Sequence, residues 1–268
     1  MKRTNIPGFG LTMGATLAWL GVLVLLPLSS VITTSWPLSA AEFGRIVWNP
    51  RAIAAYRLTF GGALIAAGVN GVFGLLIAWV LARYEFFGKN LVNSLIDIPF
   101  ALPTAVAGLT YSSLYAKEGW LGRFLDPIGI HAVHTRLAVV LVLTFVSLPF
   151  VVRSLQPVFE DLGTESEEAA HSLGATRWQA FRFVIFPSVL PALLTGIALA
   201  FARAVGEYGS VVFVAGTRDT EIAPLLILYQ LENFRFDGAA AVALVLLLAS
   251  FAINGGINLL SRWSRRHE

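Results

Sequence analysis

The chain has 268 residues, of which 56% are hydrophobic and a further 24 are glycine. Only 13% are charged, about half the usual ~25% of a soluble domain, and mean hydropathy is +0.73. One soluble core cannot hide this much apolar surface, so a soluble enzyme and a secreted disulfide module are excluded and a polytopic membrane protein is expected. There is no cysteine, hence no disulfide, thiolate nucleophile or cysteine metal site. The net charge of +3 gives nucleic-acid binding little support, and the four histidines are too scattered for a metal cluster.

Uncharged runs of about 20 residues mark candidate spans. In chain order they are 11–32, 58–82, 98–116, 137–152, 183–202 and 238–261. Six all-α transmembrane helices are expected, because these runs are continuous and lack the alternation of a membrane barrel. Lys2 and Arg3 before the first run suggest a signal peptide, but five more spans follow, so it reads as an uncleaved anchor. The 137–152 run is short and ends near Pro149. An even number of spans puts both termini on one side. Placing both inside leaves ten Lys and Arg inside against eight outside, with Lys2, Arg3, Arg262, Arg265 and Arg266 setting the orientation.

Residues 153–182 form the longest inside loop. Thr164 with Glu167 and Thr176 with Gln179 each have capping-box spacing. Gly174 stands where a left-handed C-terminal residue is needed. The pattern predicts two short helices, 165–172 and 177–186, joined by a tight turn. The first exposes Ala169 and Ala170; the second aligns Trp178, Phe181 and Ile185 on one face. An acidic solvated connector is the plain alternative. A small-residue shoulder beside a bulky face suits docking into a groove of a partner.

Glu168-Ala169-Ala170, Gly174, Val184 and Pro187 resemble the EAA loop of ABC importer permeases, with Phe186 where that pattern has a Leu-like residue. The resemblance implies a type I importer permease fold and a loop that couples to an ATPase through Glu168, Ala169, Ala170, Gly174 and Pro187. Residues 100–109, FALPTAVAGL, resemble the third-span segment of sulfate and molybdate permeases. Residues 202–211, ARAVGEYGSV, and 221–226, EIAPLL, look like the T-type subunits of the sulfate/thiosulfate branch. No G-x-x-x-x-G-K-[ST] occurs, so the chain has no P-loop and energy must come from another subunit.

Arg203 and Glu207 interrupt an apolar run over 183–216. That run, about 51 Å at ~1.5 Å per residue, is too long for one ~30 Å span. Gly206, Gly209 and Gly216 are expected to loosen its outer part. An intramembrane Arg costs about 2.5–3.5 kcal/mol and is expected to face the bundle interior or a cavity. The pair is either a neutralised helix-pinning contact or a lining of an anion pathway, with Tyr208 and Ser210 as neutral donors. Asp97 reads as an interfacial residue or a helix N-terminal anion. His131 and His134 lack a third ligand. Gly61, Gly62, Gly68, Gly71 and Gly74 suit close helix packing, within the subunit or across a dimer seam. The 222–231 segment is too short to span and reads as an interfacial helix outside.

Together these readings describe a single transmembrane permease domain, 1–268, with its coupling loop at 153–182. The resemblance implies a multi-pass subunit of a bacterial inner membrane with both termini cytoplasmic. It would work with an ABC ATPase dimer carrying ATP and Mg, a W-type second permease or a second copy, and an external sulfate-binding protein. This chain would bind no cofactor or nucleic acid and do no chemistry of its own. Sulfate or thiosulfate is the expected cargo; molybdate or tungstate is the alternative. An integral membrane enzyme would need converging acids, bases or histidines at membrane depth, where only Arg203 and Glu207 qualify. A stand-alone channel would leave the docking loop without a purpose.

Overall fold

A computed structural model describes residues 9–264. Its helices are α1 (Phe9–Ser35), α2 (Ala40–Val47), α3 (Pro50–Arg83), α4 (Lys89–Ala101), α5 (Thr104–Tyr115), α6 (Arg136–Leu162), α7 (Glu165–Ser172), α8 (Arg177–Val205), α9 (Ala223–Glu232) and α10 (Phe236–Ser264), plus single turns at 122–128, 211–214 and 218–220. Among the described residues there is no strand. Lys2, Arg3, Arg265 and Arg266, which set the expected orientation, lie outside the described residues.

Helices α1, α3, α6, α8 and α10 are each long and apolar enough to cross a bilayer. The expected straight span over 98–116 is corrected: the chain there is α4 and α5, bent by 112°. Pro103 is the cause. It pushes Leu102 out of the helical region, to φ −84° and ψ 135°, and has no N–H to continue the ladder. The pair still carries the chain across. Arg83, at the end of α3, meets Glu167 in α7, whereas Arg136, at the start of α6, bonds the Asp219 carbonyl. Near Asp219, Glu221 binds Arg51 at the start of α3. The chain therefore leaves α3 at the α7 end and enters α6 at the opposite one. With this crossing there are six.

Helix α6 runs through Pro149 and Pro157 to Leu162, overturning the expected stop near residue 152. In a membrane the cost of ending a helix, with its carbonyls open to lipid, exceeds that of one missing bond. The expected loop 153–182 therefore begins inside α6. Elsewhere proline meets a different device. Phe186 N–H bonds Phe181 O, one residue further back than in an α-helix, just before Pro187. The same wide turn, Leu26 N–H to Gly21 O, precedes Pro27 in α1. These π-turns absorb the ring's clash with the preceding turn.

The core lies among α3, α6 and α8. A Cβ on Gly71 would touch Ile197 at 2.9 Å, and one on Gly74 would touch Val151 at 2.8 Å. Gly62 packs on Leu143, whereas Gly61 and Gly68 meet nothing within 4 Å. Asn70 is fully buried and donates to Thr144 O and Ser147 Oγ, both at 2.9 Å. Helix α1 is different: its apolar surface is turned outward, and only its second half, 26–35, packs on α10. The 223–232 segment forms α9, packed on α3 and α10, with Ala223 N–H donating to Thr59 Oγ1 at 2.7 Å.

Candidate functional site

Two sites occupy opposite ends of the bundle. The first is the hairpin of α7 and the start of α8. Its turn is a Schellman motif: Ala175 N–H bonds Ala170 O at 3.0 Å and Gly174 N–H bonds His171 O at 2.9 Å. Gly174 has φ +85°, a conformation that only glycine adopts freely. Thr176 and Gln179 form the expected capping box, which opens α8. Three expectations are corrected. Thr164 makes no cap bond; its hydroxyl goes instead to Glu168 Oε1 at 3.0 Å. Ala169 is exposed, but Ala170 is buried under the turn. The second helix does not stop at 186 but runs unbroken into α8, so Ile185 joins the core while Trp178 stays outside.

Polar groups at the hairpin are largely satisfied within it, yet its apolar groups are not covered. Leu173 is 89% exposed and Trp178 is 68% exposed. Glu168 is exposed, and Pro187 sits in the first turn after the π-segment. The hairpin is fixed to the bundle through Arg83, Trp79 and Phe159, to which the sequence reading gave no part in it. Arg83 Nη2 lies 2.9 Å from Glu167 Oε1, and the Trp79 ring meets Phe159 and Phe181 edge-on.

The second site is the corner after α8. The helix ends at Val205, and Gly206 caps it. Arg203 Nη1 donates to Glu207 Oε2 at 2.5 Å, and the other carboxylate oxygen accepts from Ser210 N–H at 2.8 Å and Ser210 Oγ at 2.7 Å. The Glu207 side chain is 2% exposed and the Arg203 side chain 28%. Tyr208 is exposed, and Ser210 is sealed. The hydroxyl of Ser210 is thus committed to Glu207.

Helix α5 lies against this corner. A Cβ on Gly108 would overlap the Ser210 carbonyl, and one on Gly209 would overlap Thr104 Oγ1. Ser112 Oγ donates to Phe213 O at 2.6 Å. Two of the three sequence segments that carry the sulfate-permease resemblance, 100–109 and 202–211, therefore form one tertiary unit. Thr104 and Ser112 were not singled out in the sequence, because nothing in a lone Thr or Ser marks it.

The helix N-terminal reading of Asp97 is corrected. The residue lies inside α4 and binds Arg153 of α6 through both oxygens, at 2.8 and 2.6 Å. Asn93 Oδ1 and Gln156 Oε1 accept further bonds from the same guanidinium. Arg153 is therefore a helix-tying residue. His131 lies 3.2 Å from Asp126, and no group of three His, Cys, Asp or Glu that could hold a metal is found among the described residues.

Residues 70–266 match the family described as binding-protein-dependent transport system inner membrane component. The chain is 46% identical over 268 residues to the sulfate transport system permease protein CysT of Salmonella typhimurium, covering 99% of this chain and 97% of that protein. It is 48% identical over 254 residues to CysT of Synechocystis, covering 94% and 89%. Among solved structures, a chain of a bacterial alginate ABC transporter superposes with a TM-score of 0.78 at 16% identity, over 94% of this chain and 92% of that one. A chain of the MetNI methionine ABC transporter superposes with a TM-score of 0.61 at 19% identity, over 85% and 99%. These two share the fold. A match over most of the length, together with relatives close to half identical from end to end, makes this chain a multi-pass membrane permease that belongs to the family of binding-protein-dependent transport system inner membrane components.

Proposed function

We propose that this chain is the permease subunit of an ATP-driven importer of sulfate or thiosulfate. It forms, as a single transmembrane domain, half of the translocation pathway. The observation that carries the reading is the hairpin: a self-capped turn at Gly174 that leaves Leu173 and Trp178 uncovered. A tip with settled polar groups and bare apolar ones is suited to a protein groove. The groove belongs to an ABC ATPase dimer, which holds ATP and Mg. Glu168, Ala169 and Gly174 supply the coupling surface, with Ala170, buried under the turn, and Pro187 shaping it from behind. The hairpin end is cytoplasmic, and both termini lie with it. A W-type permease, or a second copy of this chain, forms the other half, and an external sulfate-binding protein delivers the cargo. The sulfate assignment is supported by relatives that are similar along the whole chain.

Within the pathway, Arg203 and Tyr208 face the anion, while Glu207 and Ser210 hold Arg203 in place. A bare buried cation would trap a dianion; one already balanced by Glu207 lets it move on, since conduction requires binding weak enough for release. The test is reconstitution with the ATPase, the second permease and the binding protein in proteoliposomes. Sulfate and thiosulfate are expected to stimulate ATP hydrolysis and to be taken up. Stimulation by molybdate or tungstate in their place would overturn the substrate. No stimulation by any oxyanion from a fully assembled complex would overturn the function.

A further inference from the structure

We infer that Arg83 and Glu167 are positioning residues of coupling: together with Trp79 and Phe181 they form a clamp through which motion of the hairpin is passed to α3. The inference rests on the permease reading. The observations are geometric. Arg83 Nη2 and Glu167 Oε1 are 2.9 Å apart; both atoms are closed to solvent and neither makes a hydrogen bond, so each has only the opposite charge as its partner. The side chains are 11% and 23% exposed. Trp79 lies four residues before Arg83, hence on the same face of α3, and its ring centroid is 5.4 Å from that of Phe181. Glu167 precedes the Gly174 turn, and Phe181 follows it. One face of the last turns of α3 therefore grips both arms of the hairpin.

The two contacts differ in kind, and each supplies what the other lacks. The edge-on aromatic contact tolerates small rotations. The ion pair does not, because sliding by a few ångströms leaves two charges without partners in a closed site. The hairpin therefore moves with α3 or not at all. Helix α3 is the appropriate receiver: Gly71 and Gly74, roughly three and two and a half turns in from Arg83, are seated on α8 and α6. A displacement of Arg83 is delivered to the packed core with no flexible joint in between. This role differs from that of Glu168, one residue on, which faces solvent and the proposed ATPase surface.

The experiment uses the whole reconstituted complex. Glu167→Gln and Arg83→Gln are expected to retain the ATPase on purification but to raise the ATP consumed per sulfate moved by about 3- to 30-fold, the range in which residues along a coupling route act. The exchange Arg83→Glu with Glu167→Arg is expected to recover most of that loss. A second measurement needs no sulfate. The chain has no cysteine, so spin labels at Ala82→Cys and at Glu165→Cys, an exposed position of α7 outside the proposed coupling surface, report the distance between α3 and α7. That distance is expected to stay fixed through the ATP cycle in the otherwise unchanged chain and to broaden in Glu167→Gln. Single variants with an unchanged ATP-to-sulfate ratio and an unchanged distance would overturn the clamp. So would an unchanged distance distribution in Glu167→Gln alone. A wild-type complex that ignores sulfate but shows the fixed distance would instead count against the substrate, leaving the clamp standing.

Discussion

The hairpin at one end of the bundle and the corner at the other are both tight, glycine-bearing turns beside an ion pair. They are built in opposite ways. At the hairpin the turn is closed by its own backbone and by one capping box, with Thr176, Gln179, Gly174 and Ala175 all within a few residues of one another. At the corner the turn depends on a distant segment: α5 presses Gly108 against the Ser210 backbone and Thr104 against Gly209, about a hundred residues away in the chain. A turn that satisfies itself can be offered to a partner and moved as a unit. A turn wedged into a neighbour can hold a buried carboxylate in one place. The first suits docking, the second suits fixing a charge in the membrane.

The largest expected break in this comparison is at Glu207. Glu207→Met leaves Arg203 without its partner and Ser210 without its acceptor, at a cost of about 3 kcal/mol, the lower end for a severed buried pair because Arg203 keeps some solvent access. The double change Arg203→Met with Glu207→Gln is expected to recover most of this, since the Gln carbonyl still accepts from Ser210. Arg203→Met with Glu207→Met is expected to stay about 1–3 kcal/mol below it, with the Ser210 donors unanswered. Retention of monodisperse protein after heating in detergent ranks the three. Equal stability of the two doubles would mean that the Ser210 bonds contribute nothing.

Next in size is the wedge. Gly108→Ala is expected to cost about 1–3 kcal/mol, at the upper end, because its Cβ meets backbone atoms that cannot rotate away. The same assay reads it, with Gly68→Ala, which meets nothing within 4 Å, as the neutral control. At the hairpin the expected pattern is reversed. Gly174→Val has open space around its Cβ, so its penalty is the left-handed backbone alone, about 1–2 kcal/mol. That strain stays in the hairpin: heat resistance of the bundle is expected to hold while coupling to the ATPase is lost. Gly174→Asn, which tolerates this conformation, is expected to keep transport. Normal uptake by an assembled Gly174→Val complex would show that the turn's shape is not what the partner reads.

The smallest effect concerns a second self-satisfied cap, at α2. The hydroxyl and backbone N–H of Ser39 hold the Glu42 carboxyl below its ordinary value of 4.5. A depressed folded value means that the cap's contribution is present above that ordinary value and is lost as pH falls through the lowered one. The protection of α2 amides, taken relative to the intrinsic exchange rate at each pH, is expected to fall in acid below the ordinary carboxylate range and to be flat above it. An equal acid response in Glu42→Gln would remove the carboxylate as the cause.

Local chemistry and hydropathy make one part of this fold legible residue by residue. Long uncharged runs must become helices, because lipid offers the backbone no hydrogen bonds. The Gly174 turn, the Thr176 cap and the helix over 165–172 follow from residues near one another in the chain. That the run over 183–216 could not be one span was legible from its length against bilayer thickness; that the helix ends at Val205, capped by Gly206, was not. Tertiary structure decided what no local pattern encodes. It carried α6 past two prolines, whereas the bend in the 98–116 run follows from Pro103 itself. Tertiary structure also matched Asp97 with Arg153 and Arg83 with Glu167, and brought 100–109 against 202–211. The two ion pairs and the contact of 100–109 with 202–211 are pairings between distant segments. A charge or a glycine shows its residue type in the sequence, but its partner is known only once the helices are packed.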